Sequence, residues 1–114
     1  MLFFPNTVSA ANNEVSQIPA ELFRKSGESA DLQCSHSISG YTTILWYKQA
    51  RNGELQFMGY LTVTSPQSEP EFSKKVKFSG RGDTNGTLTI NTLTSNDSAV
   101  YFCAAFTHLI KFEL

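Results

Sequence analysis

Apolar and polar residues alternate in short runs along most of this chain. Ala30, Leu32 and Cys34 alternate with polar residues, and Val76 and Phe78 alternate with lysines and a serine. A period of two predicts half-buried β-strands. Turn signals rich in glycine and asparagine separate the runs, as at residues 51–54 and 80–86. With no repeat, linker or useful amphipathic helix in the sequence, the pattern predicts one all-β domain of about eight or nine short strands.

Four residues stand out by their spacing. Cys34 and Cys103 are the only cysteines, the single tryptophan is Trp46, and Tyr101 lies two residues before the second cysteine. This spacing is typical of immunoglobulin domains. We therefore predict an immunoglobulin variable-type two-sheet Greek-key sandwich with Trp46, Leu88 and Tyr101 in its core. The cysteines could be free thiols in a cytosolic protein, but the spacing favours a disulfide and an oxidising compartment.

Two motifs carry a resemblance more specific than the general spacing of immunoglobulin domains. Residues 46–49 read Trp-Tyr-Lys-Gln, and residues 97–105 read Asp-Ser-Ala-Val-Tyr-Phe-Cys-Ala-Ala. Through them residues 13–105 resemble the variable domain of a T-cell receptor β chain. An α or δ variable segment, an antibody light-chain variable domain and other paired V-set receptors share the frame. The resemblance implies a domain of adaptive immunity on the extracellular side of the plasma membrane, which pairs with an α-chain variable domain and binds peptide held by a major histocompatibility (MHC) molecule.

The resemblance also implies a face for the partner domain, where the sequence supplies outward-pointing apolar and aromatic side chains. Such side chains would form a patch that a lone soluble domain should avoid. The predicted pairing face consists of Tyr47, Gln49, Leu55, Phe57 and Phe102.

Three recognition loops are implied in the same way, and their tyrosine would supply contact area at low entropic cost. The first comprises Ser37, Ile38, Ser39, Gly40, Tyr41, Thr42 and Thr43, the second Thr62, Val63, Thr64 and Ser65, and the third begins with Ala104, Ala105 and Phe106.

The family pattern further places an ion pair at Lys77 and Asp97. Arginine is usual at the basic position, and lysine offers a point charge in place of a bidentate fork. Asn85-Gly86-Thr87 and Asn96-Asp97-Ser98 are N-glycosylation sequons, which makes Asn85 and Asn96 candidate glycan sites.

Both ends of the chain depart from the pattern. Residues 1–12 include an apolar start and a small-residue stretch at Val8-Ser9-Ala10, so we expect a leader remnant or a disordered extension. Residues 106–114 contain no glycine and lack the Phe-Gly-x-Gly of a joining segment. We therefore expect an atypical tail after an unrearranged segment, and a last strand that is missing or non-standard. No stretch is long enough to span a bilayer, which places any anchor outside this sequence.

Other classes of function find little support. The net charge of −1 gives no electrostatic case for nucleic acid. The histidines, His36 and His108, form no metal-ligand spacing with the cysteines, no catalytic arrangement can be argued, and we expect no cofactor and no enzymatic activity.

A stand-alone adhesion protein is the alternative, because Arg81-Gly82-Asp83 is the tripeptide that integrins read, although such residues are also ordinary turn chemistry.

Overall fold

Ten β-strands form two sheets that face one another in this computed structural model, which describes residues 2–7, 15–18 and 22–107. One sheet contains, from edge to edge, β2 (Val15–Ile18), β4 (Ala30–His36), β9 (Asn85–Ile90) and β8 (Val76–Gly80). The other contains β3 (Leu22–Phe23), β1 (Leu2–Thr7), β10 (Val100–Phe106), β5 (Thr43–Gln49), β6 (Leu55–Thr62) and β7 (Ser65–Ser68). Short 3-10 turns at Pro70–Phe72 and Ser95–Asp97 lead into β8 and β10. The predicted two-sheet sandwich is confirmed.

The core lies between the sheets and is tied by one covalent bond. A disulfide joins Cys34 of β4 to Cys103 of β10, across a sequence separation of 69 residues. Trp46, Leu88 and Tyr101 are all buried around it, as the spacing of the cysteines and the tryptophan predicts. Strands such as β4 and β9 alternate inward and outward residues, and buried apolar side chains from both sheets form this core.

The amino-terminal end supplies an unexpected strand. β1 lies beside β10 on the side away from β5, and runs parallel to it from Phe4↔Val100 to Thr7↔Cys103. Its other neighbour, β3, is antiparallel. The expectation of disorder is therefore wrong for residues 2–7, because residues 2–3 pair with β3 and residues 4–7 pair with β10, whereas the leader interpretation stays a prediction. The rest of the predicted tail, 108–114, lies outside the described residues.

A β-bulge interrupts the pairing of β5 with β6. Trp46 is paired with Gly59 and Tyr47 with Phe57, so Met58 is an extra residue on β6. Gly59 has φ +145°, and a Cβ there would lie 2.3 Å from the Gln67 carbonyl oxygen, so only glycine fits. The bulge buries Met58 and leaves Phe57 on the outer face beside Tyr47.

No helix within the described residues has the length and apolar character needed to cross a bilayer.

Candidate functional site

The five residues of the predicted pairing face lie together on the outer surface of the larger sheet. Tyr47 is paired with Phe102 on one side and with Phe57 on the other, and Gln49 is paired with Leu55. Residues that are directly opposite in neighbouring strands share a face. The rings of Tyr47 and Phe57 are 5.3 Å apart, and a shallow apolar hollow lies between β5, β6 and β10.

This face keeps apolar surface in contact with solvent. Leu55 is 56% exposed. Among the described residues, Ile18 on the opposite sheet has a similar exposed fraction of 57%. Aromatic side chains with a depletion of charge are characteristic of the centre of a protein interface. The geometry therefore suits a flat partner laid over β5, β6 and β10.

The predicted recognition loops are shorter than the sequence suggests. Residues 37–42 form the connection between β4 and β5, and residues 63–64 form the turn between β6 and β7. Thr43, Thr62 and Ser65 are the end residues of strands, and Thr43 is buried.

The third predicted loop requires a correction. Ala104, Ala105 and Phe106 belong to β10, because the ladder with β5 continues as far as Phe106↔Thr43. These residues are therefore paired with β5 and belong to the sheet, not to a loop.

Hydrogen bonds tie these loops to one another. The Thr42 N–H donates to the Phe106 carbonyl (3.2 Å), the Val63 N–H to the Thr42 carbonyl (2.9 Å), and the Gly82 N–H to the Val63 carbonyl (2.7 Å). Val63 has φ +50°, an unfavourable conformation for a β-branched residue that persists only where neighbouring contacts hold it. The β8–β9 turn thus belongs to the same end of the sandwich as the loops, a contribution from Gly82 that no sequence pattern signals.

The Arg81-Gly82-Asp83 tripeptide in that turn is engaged with its own fold. Arg81 donates two hydrogen bonds of 3.0 Å to the Asp83 carboxylate, which raises the pKa of the guanidinium and lowers the pKa of the carboxyl. Gly82 is buried, and a Cβ on it would lie 1.9 Å from the Leu61 carbonyl oxygen. The two charged side chains thus bond to each other at the surface, in a turn whose glycine is required by the fold, and this arrangement does not favour the adhesion alternative.

The ion pair of Asp97 involves a different lysine from the one predicted. Lys75 Nζ lies 2.7 Å from Asp97 Oδ2 and donates to the Thr92 carbonyl at 2.7 Å. Lys77 is exposed on β8, opposite Thr89 on the outer face of the smaller sheet. The prediction of Lys77 was wrong because Lys77 lies within β8, opposite Thr89, whereas Lys75 precedes the strand and its carbonyl accepts a hydrogen bond from the Asn91 N–H, nearer to the 3-10 turn that carries Asp97. No local pattern distinguishes the two lysines.

Asp97 also organises that turn. Its carboxylate accepts hydrogen bonds from the Thr94 N–H (2.9 Å) and hydroxyl (3.4 Å). The bond from the Thr94 N–H is one half of a capping box. The Tyr101 hydroxyl donates to the Asp97 carbonyl at 2.6 Å. Burial raises the pKa of the Tyr101 phenol well above its usual range, with a further contribution from the nearby Asp97 charge.

Both sequon asparagines are accessible. Asn85 is exposed at the start of β9, and Asn96 is exposed in the 3-10 turn, where its carbonyl accepts a hydrogen bond from Lys48. Glycosylation at either residue stays a prediction.

Comparison with known proteins agrees with this geometry. The model of the immunoglobulin V-set domain family matches residues 17–113. Human T cell receptor beta variable 5-8 is 38% identical over 93 residues, which cover 80% of this chain and 79% of the relative. Human T cell receptor beta variable 7-2 is 35% identical, with 80% and 79% covered, and human T cell receptor alpha variable 1-1 is 31% identical, with 75% and 77% covered.

A solved structure gives the same result for the fold. A chain from work on the structural basis of T cell specificity and activation by the bacterial superantigen toxic shock syndrome toxin-1 superposes with a TM-score of 0.72 and 28% identity. The match covers 82% of this chain and 80% of that one.

Proposed function

Since this chain belongs to the immunoglobulin V-set family and is a variable-type domain of the T cell receptor kind, we propose that it is a β-type variable domain. In this proposal it pairs with an α-chain variable domain, and the pair binds peptide held by an MHC molecule at the cell surface. The β assignment is supported by identities of 38% and 35% to two human β segments, against 31% to a human α segment. No catalytic chemistry is assigned to the chain.

The single observation that carries the pairing proposal is the apolar outer face of β5, β6 and β10. Tyr47, Phe57 and Phe102 lie side by side across three strands, and Leu55 projects beside them. Contiguous exposed apolar surface of this kind marks an interaction site. Covering it with a similar sheet would remove aromatic surface from water without burying any unpaired charge.

The loops support the second half of the proposal. Residues 37–42 and 63–64 lie together at one end of the sandwich, where hydrogen bonds join them, and none of them belongs to the pairing face. The first loop offers Tyr41, whose ring combines an apolar body with a polar tip. Such a surface suits recognition of a composite ligand by side-chain contacts.

A charge placed on the face tests the pairing. We expect Leu55→Glu to weaken association with co-expressed α variable domains at least tenfold, because the carboxylate would be buried without a partner. Sedimentation velocity of the mixed domains measures the change.

Ile18→Glu is the matched control, since Ile18 is as exposed as Leu55 but lies on the opposite sheet. It should leave the association unchanged. Equal effects of the two substitutions, or no association with any α domain tested, would contradict the pairing proposal.

A further inference from the structure

His36 lies at the point where the smaller sheet gives way to the first loop. It is the last residue of β4 and is 7% exposed. Nε2 lies 2.8 Å from the Gly82 carbonyl oxygen in the β8–β9 turn, and Nδ1 lies 3.2 Å from the Ile38 backbone nitrogen in the first loop. One ring therefore bonds to two segments that are remote in sequence.

The two partners fix the protonation of the ring. A carbonyl oxygen accepts and cannot donate, so Nε2 must carry a proton. A backbone N–H donates and cannot accept, so Nδ1 must be unprotonated. His36 is therefore the neutral Nε2–H tautomer, and each nitrogen has its own task.

Beyond Gly82 the connection continues through the backbone bonds already described. Gly82 bonds to Val63, Val63 to Thr42, and Thr42 to Phe106. His36 thus anchors one end of a run of hydrogen bonds that links the β8–β9 turn, the second loop, the first loop and the end of β10. It is also bonded directly to the first loop at Ile38.

We propose that His36 is a positioning residue for the recognition surface. As the Nε2–H tautomer it holds residues 37–42 and the β8–β9 turn in one fixed relation, so that the first and second loops form a single preorganised surface. Preorganisation reduces the entropy lost on binding. The inference rests on the proposed role of these loops in recognition, but the contacts themselves exist without a ligand.

Two substitutions separate the two tasks of the ring. In His36→Gln the side-chain amide nitrogen takes the place of Nε2, so the bond to Gly82 is kept while Ile38 loses its acceptor. In His36→Asn the carbonyl oxygen takes the place of Nδ1, so Ile38 keeps its acceptor while the shorter side chain no longer reaches Gly82.

Amide hydrogen exchange of the full chain at neutral pH, followed by NMR, measures the result. We expect exchange at Ile38 to be about 5- to 10-fold faster in His36→Gln, with Gly82 little changed, since a net hydrogen bond accounts for a change of about this size. In His36→Asn the Gly82 carbonyl loses its donor, so the β8–β9 turn is held less firmly. The Gly82 and Val63 N–H groups, which bond to the Val63 and Thr42 carbonyls, should then exchange faster, and Ile38 should stay protected. The Leu88 amide in the core serves as the internal reference for global opening.

The ring nitrogens of the unsubstituted protein give a spectroscopic test that requires no variant. Their ¹⁵N signals should show an unprotonated Nδ1 and a protonated Nε2. The opposite tautomer would overturn the proposal, as would equal acceleration of Ile38, Gly82 and Leu88 in both variants. Neither measurement uses a partner domain, so failure here is distinguishable from failure of the Leu55 experiment.

Discussion

Gln17, His36 and Asp97 are buried polar side chains that bond to another part of the domain, Gln17 and His36 to main-chain groups and Asp97 to the Lys75 ammonium. Gln17 donates to the Tyr101 carbonyl (3.0 Å) and accepts from the Cys103 N–H (2.8 Å), so it connects β2 of one sheet to β10 of the other. Burial of such groups is tolerated because their hydrogen bonds are made. At this scale the side chains fix how strands and loops are placed relative to one another.

The ion pair of Asp97 makes a prediction that separates two lysines. Lys75→Met should lower the free energy of unfolding by about 1–2 kcal/mol, because a mostly buried carboxylate loses a charged hydrogen bond. Lys77→Met is the matched control. It should change the free energy of unfolding by less than about 0.5 kcal/mol, since Lys77 is exposed. Urea unfolding measures both, and an equal loss from the two variants would contradict the assignment of Lys75.

The raised pKa of Tyr101 makes stability depend on pH at the alkaline end. An unfolded tyrosine releases its proton near pH 10, whereas the folded phenol retains it. The contribution of the protonated Tyr101 phenol to the free energy of unfolding is therefore fully present below about pH 10. It is lost as the pH rises further, by about 1.4 kcal/mol per pH unit.

Comparison with Tyr101→Phe isolates this effect from other groups that titrate. The variant lacks the ionisable phenol, so its stability deficit relative to the unsubstituted protein should narrow between pH 9 and 11. Tyr60→Phe is the control, since Tyr60 lies half-buried on β6. A deficit that stays constant with pH would show that the folded phenol ionises normally.

At the scale of elements, alternation predicts the strands that face the core on one side and solvent on the other. β4 and β9 follow it residue by residue, and Pro66 lies on β7, at the edge of the larger sheet, where the missing N–H of proline is tolerated. The sequence does not show how far the pairing of β10 with β5 extends, because that length depends on tertiary contacts. Residues 104–106 are therefore predicted as a loop although they belong to the strand. β1 escaped prediction because its partner lies about a hundred positions along the sequence, and nothing local indicates such a pairing.

Deletion of residues 1–7 tests whether β1 protects the edge of β10. An unpaired edge exposes backbone donors and acceptors to water and to other chains. We expect faster amide exchange within residues 100–103, which are in register with β1, except at Cys103, whose N–H is bonded to Gln17. We also expect concentration-dependent association in sedimentation. Residues 104–106 extend past that register and serve as the internal control. Unchanged exchange at 100–103 would show that β1 protects nothing.

For the whole molecule, the disulfide is the main constraint on the unfolded chain. It closes a loop of 69 residues between the two sheets. On the chain-entropy model such a loop stabilises the fold by about 4 kcal/mol, a large share of the roughly 5–15 kcal/mol available to a small domain. Replacing both cysteines with alanine should lower the free energy of unfolding by about that amount in urea titrations, and a loss below about 1 kcal/mol would contradict this account.

The sequence predicts those residues of the candidate site that face outward in the alternating pattern of a strand. Tyr47, Phe57 and Phe102 came from that pattern together with the family resemblance, and cross-strand pairing brings them together. His36 and Gly82 could not be assigned, because their roles depend on which loops meet at one end of the sandwich. Sequence patterns report the face on which a residue lies, but not its neighbours across a loop.

The bulge at Met58 is a point at which β6 can be shortened without exchanging its two faces. Met58 is the extra residue, because Phe57 lies opposite Tyr47 and Gly59 lies opposite Trp46. An in-frame deletion of the Met58 codon would therefore leave both pairs in register and keep Phe57 on the outer face, while the core would lose one buried side chain. Deletion of a residue from the regular part of the ladder would instead shift the strand by one place and turn outward side chains inward. Two deletions a few codons apart would thus harm different properties, the stability of the domain in one case and its partner surface in the other.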